Sequence, residues 1–141
     1  MPDDLAPDSL GEAFGAVAKR LRAASMSALS GYDVTPSQMR AIRVLAAQDG
    51  GGVRSKELAE LLRIAPRSVT EVVDALAAKG LVERSADPED RRAVLVALTR
   101  RGRELSDEVR RARGAESERM FDRLSPTDRA DLARILRQLQ E

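Results

Sequence analysis

The chain has 141 residues, 43% of them hydrophobic, and a net charge of +1, which suits one domain with a buried core. It contains no cysteine and no histidine, which excludes disulfides and thiol chemistry and removes the commonest metal ligands and general base. We therefore expect no enzyme activity, no bound metal and no cofactor. With no run of 18 apolar residues and no secretory leader at its acidic start, residues 1–5, it is expected to be cytoplasmic and to avoid membranes.

The first predicted element is a long helix that Asp8 or Ser9 can cap and that Gly31 ends. Its apolar residues recur in alternating steps of four and three, as in a coiled coil. They are Leu10, Phe14, Val17, Leu21, Ala24 and Ala28. Such a narrow stripe packs either inside its own chain or on a partner, and for a terminal helix we favour self-association.

A second helix is predicted to begin at Thr35, which can cap it, with Pro36 in the first helical position. Its expected inner face is formed by the apolar residues Ile42, Leu45 and Ala46. The run Asp49-Gly50-Gly51-Gly52 follows and predicts a flexible break before the next element.

The next two helices are separated by only three residues, 63–65. The first is expected from about Ser55 to Leu62, and the second opens at Pro66 and ends at Gly80. Two helices joined by so short a turn are typical of a helix-turn-helix. The second helix has one apolar stripe at helical spacing. Its members are Val69, Val72, Val73, Leu76 and Ala77.

A β-hairpin is predicted after Gly80, with strands at 81–84 and 93–98. Asp87 and Pro88 break the first strand, and the turn carries the adjacent arginines Arg91 and Arg92. A helix followed by a basic hairpin is typical of nucleic-acid binding. The helix can enter a major groove, and the tip can reach the neighbouring minor groove or the phosphates.

The chain is predicted to close with two helices. Thr99 can cap a long, charged helix from about Arg100 to Arg123, which at about 1.5 Å per residue spans roughly 35 Å. That length is too great for full packing on a small core. A cap at Ser125 and a proline at the first position predict the last helix. The apolar residues of these helices are Leu105, Val109, Ala112, Met120, Leu132, Ile135, Leu136 and Leu139.

Charge is distributed unevenly, since residues 54–103 hold eleven basic and eight acidic side chains. Within this segment the start of the 66–79 helix can present polar side chains to base edges. They are Arg67, Ser68, Thr70 and Glu71. The alternative is an ordinary solvated face. The basic hairpin directly behind the helix favours double-stranded DNA as the partner.

The hairpin turn places Asp90 two residues before Arg92, so we expect the carboxylate to hold and orient the guanidinium. Arg91 can reach a phosphate or share the groove, and Arg84 can add a backbone contact. The alternative is a tip made soluble by its charges. A cation site among the turn carboxylates is disfavoured, because their spacing does not follow an EF-hand loop and arginines adjoin them.

Taken in order, the motifs resemble those of the multiple-antibiotic-resistance regulator (MarR) family. The matching pieces are Thr35-Pro36-Ser37-Gln38, Glu57-Leu58-Ala59, Ser68-Val69-Thr70, Val73-Asp74-x-Leu76, Lys79-Gly80-Leu81-Val82-x-Arg84, Asp87-Pro88-x-Asp90-Arg91-Arg92 and Leu98-Thr99-x-x-Gly102. Each piece alone is weak, but the ordered set is specific. The resemblance implies a mainly α fold with a small β-hairpin wing. It further implies a winged helix-turn-helix domain at 35–99, flanked by dimerisation helices at 1–34 and 100–141.

The resemblance also implies a sequence-specific homodimer that binds a palindromic operator, a repressor in most cases, with Arg92 as the wing arginine. A small hydrophobic or phenolic effector would release it from DNA. The effector pocket would lie between the dimer helices and the winged domain. The residues placed there by position are Phe14, Leu21, Tyr32, Met39, Ile42 and Arg43.

The chain departs from the family pattern at two helix starts. Arg54 stands where the family often has a capping hydroxyl, so we expect Ser55 to cap instead, and Ala65 has no capping side chain. The absence of cysteine excludes the branch that senses peroxides through a thiol. Two other interpretations remain, a winged-helix protein-interaction module and an enzyme without histidine or cysteine. The operator, the regulated genes, the effector and the sign of regulation are not encoded in any motif.

Overall fold

The computed structural model describes residues 7–48 and 50–141, and the side chains from residue 9 onward. The acidic start at 1–5, the proposed Asp8 cap and Asp49 lie outside the described part. Within it, the backbone forms six α-helices and three β-strands. In chain order they are α1 (Pro7–Leu29), α2 (Pro36–Ala46), β1 (Val53–Arg54), α3 (Ser55–Leu62), α4 (Pro66–Ala78), β2 (Val82–Ala86), β3 (Val94–Leu98), α5 (Arg100–Phe121) and α6 (Pro126–Gln140). The expected mainly helical fold with a small β wing is confirmed.

The chain divides into two compact units. One, the winged unit, runs from Gly31 to Arg110, and the other joins the chain up to Ser30 with Arg111–Glu141. The winged unit therefore includes the first half of α5. The expected division at 34/35 and 99/100 stays a prediction, since contacts within a chain do not test which segments fold alone. Among the described residues, no helix combines the length and the apolar character that crossing a bilayer requires.

The sheet has three strands where the sequence predicted two. The order is β1-β3-β2, all antiparallel, with Val53 opposite Val96 and Ala86 opposite Val94. Strand β1 has only two residues, too few for any periodicity, and it forms because β3 offers it an edge. The predicted break before it ends at Gly52, whose φ of 93° lets its backbone pass close to β3.

The core of the winged unit is built from one face of each helix and the inner face of the sheet. The confirmed core positions of α4 are Val69, Val73 and Leu76, which are 2% exposed or less, whereas Val72 and Ala77 are half-buried. In α2 the expected Ile42 and Leu45 are buried, but Ala46 is exposed and the prediction for it was wrong. Other members of this core are Met39, Leu58, Leu62, Leu81, Val82, Val96, Leu98 and Val109.

Several helix ends follow the predicted caps and others do not. Thr35 forms a capping box with Gln38, and Ser125 accepts the backbone N–H of Asp128 at 3.1 Å. The expectation for Ser55 was wrong, because it is the first residue of α3 and Arg54 occupies the cap position without a side-chain cap bond. Gly31 lies two residues beyond the end of α1 at Leu29, as Gly80 does beyond α4, but it lacks the positive φ of the predicted glycine cap.

The wing is attached to α5 by a junction that requires two glycines. Gly80 ends α4 at a φ of 72°, and its carbonyl accepts the Thr99 hydroxyl at 2.6 Å. The same hydroxyl caps α5 by accepting the Gly102 N–H at 3.1 Å, as predicted. A Cβ on Gly102 would lie 2.1 Å from the Leu81 carbonyl oxygen, so the start of α5 can lie this close to the wing only with glycine there.

Candidate nucleic-acid interface

Helix α4 presents a polar face opposite its buried stripe. Because Val69, Val73 and Leu76 point into the core, the remaining positions of the first turns face outward. The four predicted reader residues lie on this part of the helix. Arg67, Thr70 and Glu71 are exposed and Ser68 is half-buried.

The start of α4 is open to an approaching anion. Ala65 occupies the cap position and makes no side-chain cap bond, as its methyl side chain predicts, and Pro66 takes the first helical position. The first backbone N–H groups of α4 therefore lack a side-chain acceptor and can meet a phosphate, which the helix dipole also favours. The Thr70 hydroxyl donates back to the Pro66 carbonyl at 3.2 Å.

The turn between α3 and α4 adds a basic residue that the sequence analysis did not select. Arg63 ends α3 in the left-handed conformation, at φ 54° and ψ 45°, and its side chain is exposed. The backbone N–H of Ile64 returns to the Ala59 carbonyl at 3.1 Å and closes the turn. The short connection at 63–65 was the only feature of the sequence that pointed to this turn, because an arginine in the left-handed conformation has no sequence signature.

The turn of the wing is held by its own backbone and by Asp90. The Asp87 N–H donates to the Ala93 carbonyl at 3.1 Å, and the Ala93 N–H donates to the Asp90 carbonyl at 2.9 Å. The Asp90 carboxylate accepts the backbone N–H of Arg92 at 3.0 Å. The predicted contact between the Asp90 carboxylate and the Arg92 guanidinium was therefore wrong. Asp90 fixes the backbone of Arg92 and forms no ion pair with its guanidinium.

Two guanidinium groups at the tip are available for a ligand. Arg91 and Arg92 are both exposed. Within the described part of the chain, neither side chain has an ion pair or a hydrogen bond. An arginine held by its backbone and free at its head can pair with phosphate or enter a groove without first breaking another contact.

Arg84, the other predicted contact on the wing, is already paired. Its guanidinium forms a close ion pair and hydrogen bond with Asp74 on α4. Arg84 lies opposite Val96 in the sheet, on the side that faces α4. The pair therefore connects strand β2 with the outer face of α4, and Arg84 is engaged within the free protein.

At the base of the wing lies an ion pair that the sequence analysis missed. Arg54 contacts the same Asp87 oxygen, Oδ2, through Nε at 2.7 Å and through Nη2 at 2.6 Å. The second oxygen, Oδ1, accepts the backbone N–H of Glu89 at 2.9 Å. That N–H and the Arg54 guanidinium hold the pKa of the Asp87 carboxyl below its ordinary value of 3.8, against the opposing effect of burial. The deviation at Arg54 from the family pattern was the available signal.

A cavity of about 470 Å³ lies within the winged unit, between the α1–α2 loop and α5. Its wall includes the Lys79 ammonium, which donates to the Asp33 carbonyl at 2.6 Å and to Gln38 Oε1 at 2.8 Å. Of the six predicted pocket residues Tyr32 lines this cavity. Met39 and Ile42 are core residues, Phe14 and Arg43 are exposed, and Leu21 is half-buried on α1.

Comparison with known proteins places this architecture among helix-turn-helix regulators. A family model described as the MarR family matches residues 32–93. The HTH-type transcriptional regulator ML2140 of Mycobacterium leprae is 37% identical over 103 residues, which cover 72% of this chain and 68% of that relative. The match spans 65% of the length of two further relatives, from Mycobacterium bovis and Mycobacterium tuberculosis.

Solved structures agree over nearly the whole chain. RV1404 from Mycobacterium tuberculosis has a TM-score of 0.85 at 28% identity, covering 99% of this chain and 96% of that one. A MepR mutant from Staphylococcus aureus, solved bound to an oligodeoxyribonucleotide, has a TM-score of 0.77 at 21% identity, covering 92% and 96%. The second likeness concerns the fold alone.

The paired carboxylate of Asp87 predicts a specific loss of stability in acid. Because its folded pKa lies below its ordinary 3.8, its contribution is present above that value and disappears as the pH falls through the lower folded pKa. We expect Asp87→Asn to be less stable than wild type near neutral pH. The unfolding free energies of the two proteins should become equal in acid.

Urea unfolding at one protein concentration, followed by circular dichroism from about pH 7 down to about pH 2.5, measures this difference. Equal stability of Asp87→Asn and wild type at neutral pH would contradict the assignment.

Proposed function

The chain belongs to the MarR family of winged helix-turn-helix regulators, and we propose that it is a cytoplasmic repressor that binds a palindromic operator as a homodimer. The observation that carries this proposal is the pair of free guanidinium groups, Arg91 and Arg92, on a wing turn whose backbone is fixed by hydrogen bonds. The exposed polar start of α4 supports it, since a recognition helix reads bases with its first turns.

In this proposal α4 enters the major groove. Arg67 forks onto a guanine, Glu71 accepts from a cytosine amino group, and the methyl group of the exposed Thr70 packs on a thymine methyl. Ser68, close to the open start of α4, contacts the DNA backbone. The donor and acceptor groups of these side chains determine which bases each one prefers. They do not determine the order of those bases in the operator.

The wing is proposed to lie beside the minor groove. A narrow minor groove concentrates negative potential, so the Arg92 guanidinium enters it while Arg91 binds a flanking phosphate. Arg84 takes part by neutralising Asp74, whose carboxylate would otherwise face the DNA phosphates from the outer side of α4. Arg63 adds a basic group at the helix-turn-helix turn.

Homodimerisation is proposed through the long helices. On α1 the large apolar residues Leu10, Phe14 and Val17 are 60%, 57% and 45% exposed, and they belong to the coiled-coil-like stripe. On α6 Ile135 and Leu139 are 44% and 71% exposed. A second copy would cover such residues, and its two-fold symmetry would set two reader helices about one DNA turn, roughly 34 Å, apart.

The Arg92 contact is tested by Arg92→Ala. We expect Arg92→Ala to weaken the free energy of operator binding by about 1–3 kcal/mol. The affinity should also depend less steeply on salt, because about one fewer ion is released on binding. Fluorescence anisotropy measures both with DNA from upstream of the protein's own gene against scrambled DNA, across a salt series. The matched control is Arg110→Ala, which removes an exposed arginine paired with Asp107 on α5.

Unchanged affinity in Arg92→Ala would remove the wing arginine from the proposal. Equal weak binding of wild type to both DNAs would place its operator elsewhere in the genome. Failure of wild type to bind either DNA at low salt would favour the protein-interaction module over the regulator.

The dimer is tested on α1. Phe14→Glu places a charge in the centre of the exposed stripe, and burying it against a partner should raise the dimer dissociation constant by at least about tenfold. Ala16→Glu adds the same charge to the same helix off the stripe and should leave the dimer intact. Sedimentation velocity over a range of concentrations distinguishes them, and identical behaviour of both variants and wild type would exclude this face.

Release by a small hydrophobic or phenolic effector is also proposed, with the cavity of the winged unit as its site. Apolar surface comes from Val34, Leu81 and Leu105, and Lys79 and Arg101 can attract a phenolate or carboxylate. Lys79 is the cap residue of α4 and holds the start of α2 through Gln38. An effector that engages its ammonium would loosen α4 from α2 and favour a reader spacing unsuited to DNA.

A panel of small phenols and phenolic acids, including 4-hydroxybenzoate, tests the cavity by titration into the operator complex. We expect release from wild type and much weaker release from Leu105→Phe, which adds side-chain volume to the cavity wall at a residue outside α4 and the wing. Equal release from both proteins would move the effector to the pocket predicted around Phe14, Met39 and Ile42. No release by any compound would remove the proposal.

A further inference from the structure

The ion pair between Arg54 and Asp87 spans the sheet. Arg54 on β1 lies opposite Leu95 on β3, and Leu95 lies opposite Ser85 on β2. Directly opposed residues share a face, and Ser85 and Asp87 are two apart, so Arg54 and Asp87 lie on the same outer face. The Arg54 side chain therefore passes over the middle strand β3 and joins an edge strand to the far end of β2.

Both oxygens of the Asp87 carboxylate are engaged. Its side chain is 8% exposed, one oxygen receives both Arg54 nitrogens and the other receives the Glu89 N–H. In the described part of the chain it is the one buried residue with a polar or charged side chain. Its own N–H bonds to Ala93 on the far side of the turn, so Asp87 connects both ends of the tip to Arg54.

We propose that Arg54 is a positioning residue that sets the direction of the wing tip relative to the helix-turn-helix. Arg54 immediately precedes Ser55, the first residue of α3, so the ion pair connects the base of the tip directly to the start of the helix-turn-helix. The backbone ladder of β2 and β3 alone leaves a two-stranded tip free to twist and bend. The ion pair with Asp87 removes that freedom in the free protein. Less conformational entropy is therefore lost when Arg92 binds DNA.

The DNA part of this inference rests on the proposed function, and a direct contact is the competing explanation. The Arg54 side chain is 45% exposed and could itself bind a phosphate. The two explanations predict opposite results for Asp87→Asn. Positioning predicts weaker binding, because the tip loses its anchor. A direct contact predicts unchanged or tighter binding, because a negative charge disappears and the arginine is released.

The first measurement needs no DNA. Hydrogen–deuterium exchange of the free protein reports on the wing amides bonded in the turn, those of Glu89, Arg92 and Ala93. We expect at least about tenfold faster exchange in Arg54→Ala and Asp87→Asn, with Arg54→Lys between them and wild type. Arg110→Ala is the control and should match wild type. Unchanged exchange in both Arg54→Ala and Asp87→Asn would overturn the inference.

The second measurement is operator affinity. Arg54→Ala and Asp87→Asn should each weaken binding by about tenfold, and no more than Arg92→Ala does. Adding Arg92→Ala to Arg54→Ala should cost less than it costs in wild type, since a misdirected tip has already lost part of that contact. Tighter or unchanged binding by Asp87→Asn would overturn positioning in favour of a direct phosphate contact.

The two measurements separate the inference from the proposed function. Faster wing exchange in the variants of a protein whose wild type prefers no operator would support the anchoring role of Arg54 and contradict the regulator. Operator binding by wild type, together with unchanged exchange of the wing amides in the variants, would support the regulator and contradict the anchoring role of Arg54.

Discussion

The burial of one face of α4 is the constraint on which the rest of the winged unit depends. Val69, Val73 and Leu76 can leave water only if the opposite face of the helix turns outward, and that face carries the residues proposed to read DNA. Each neighbouring element is then attached to α4. Asp74 joins it to β2 through Arg84, and Lys79 joins its end to the start of α2. A change at either end of α4 is therefore transmitted through side chains that bond to it directly.

The wing obeys a second constraint, which is electrostatic. A carboxylate as buried as that of Asp87 is costly unless it is paired with an opposite charge and hydrogen-bonded. Arg54 and the Glu89 N–H supply the partners, and they hold the pKa of the Asp87 carboxyl below its ordinary value. Arg54 occupies the cap position of α3 without a side-chain cap bond, and its side chain instead connects the helix-turn-helix to the wing.

The modest net charge of +1 is compatible with DNA binding once the pairing of charges is considered. Many arginines are engaged in ion pairs with nearby carboxylates, as Arg110 is with Asp107. In the part of the chain that the structure describes, the arginines at the wing tip have no such partner, and they stand on a turn whose backbone is fixed by hydrogen bonds. Local availability of guanidinium groups, more than total charge, determines where an anionic polymer would bind.

Sequence alone determined the six helices, the hairpin and most of their ends, because helical periodicity, Thr35, Ser125 and Gly80 act locally. It also predicted the reader and wing residues by type and order. Only the tertiary structure decided β1, the bond of Asp90 to the Arg92 backbone and the ion pair of Arg54 with Asp87. These depend on which segments meet in space. A two-residue strand carries no period, and a partner 33 residues away leaves no local pattern.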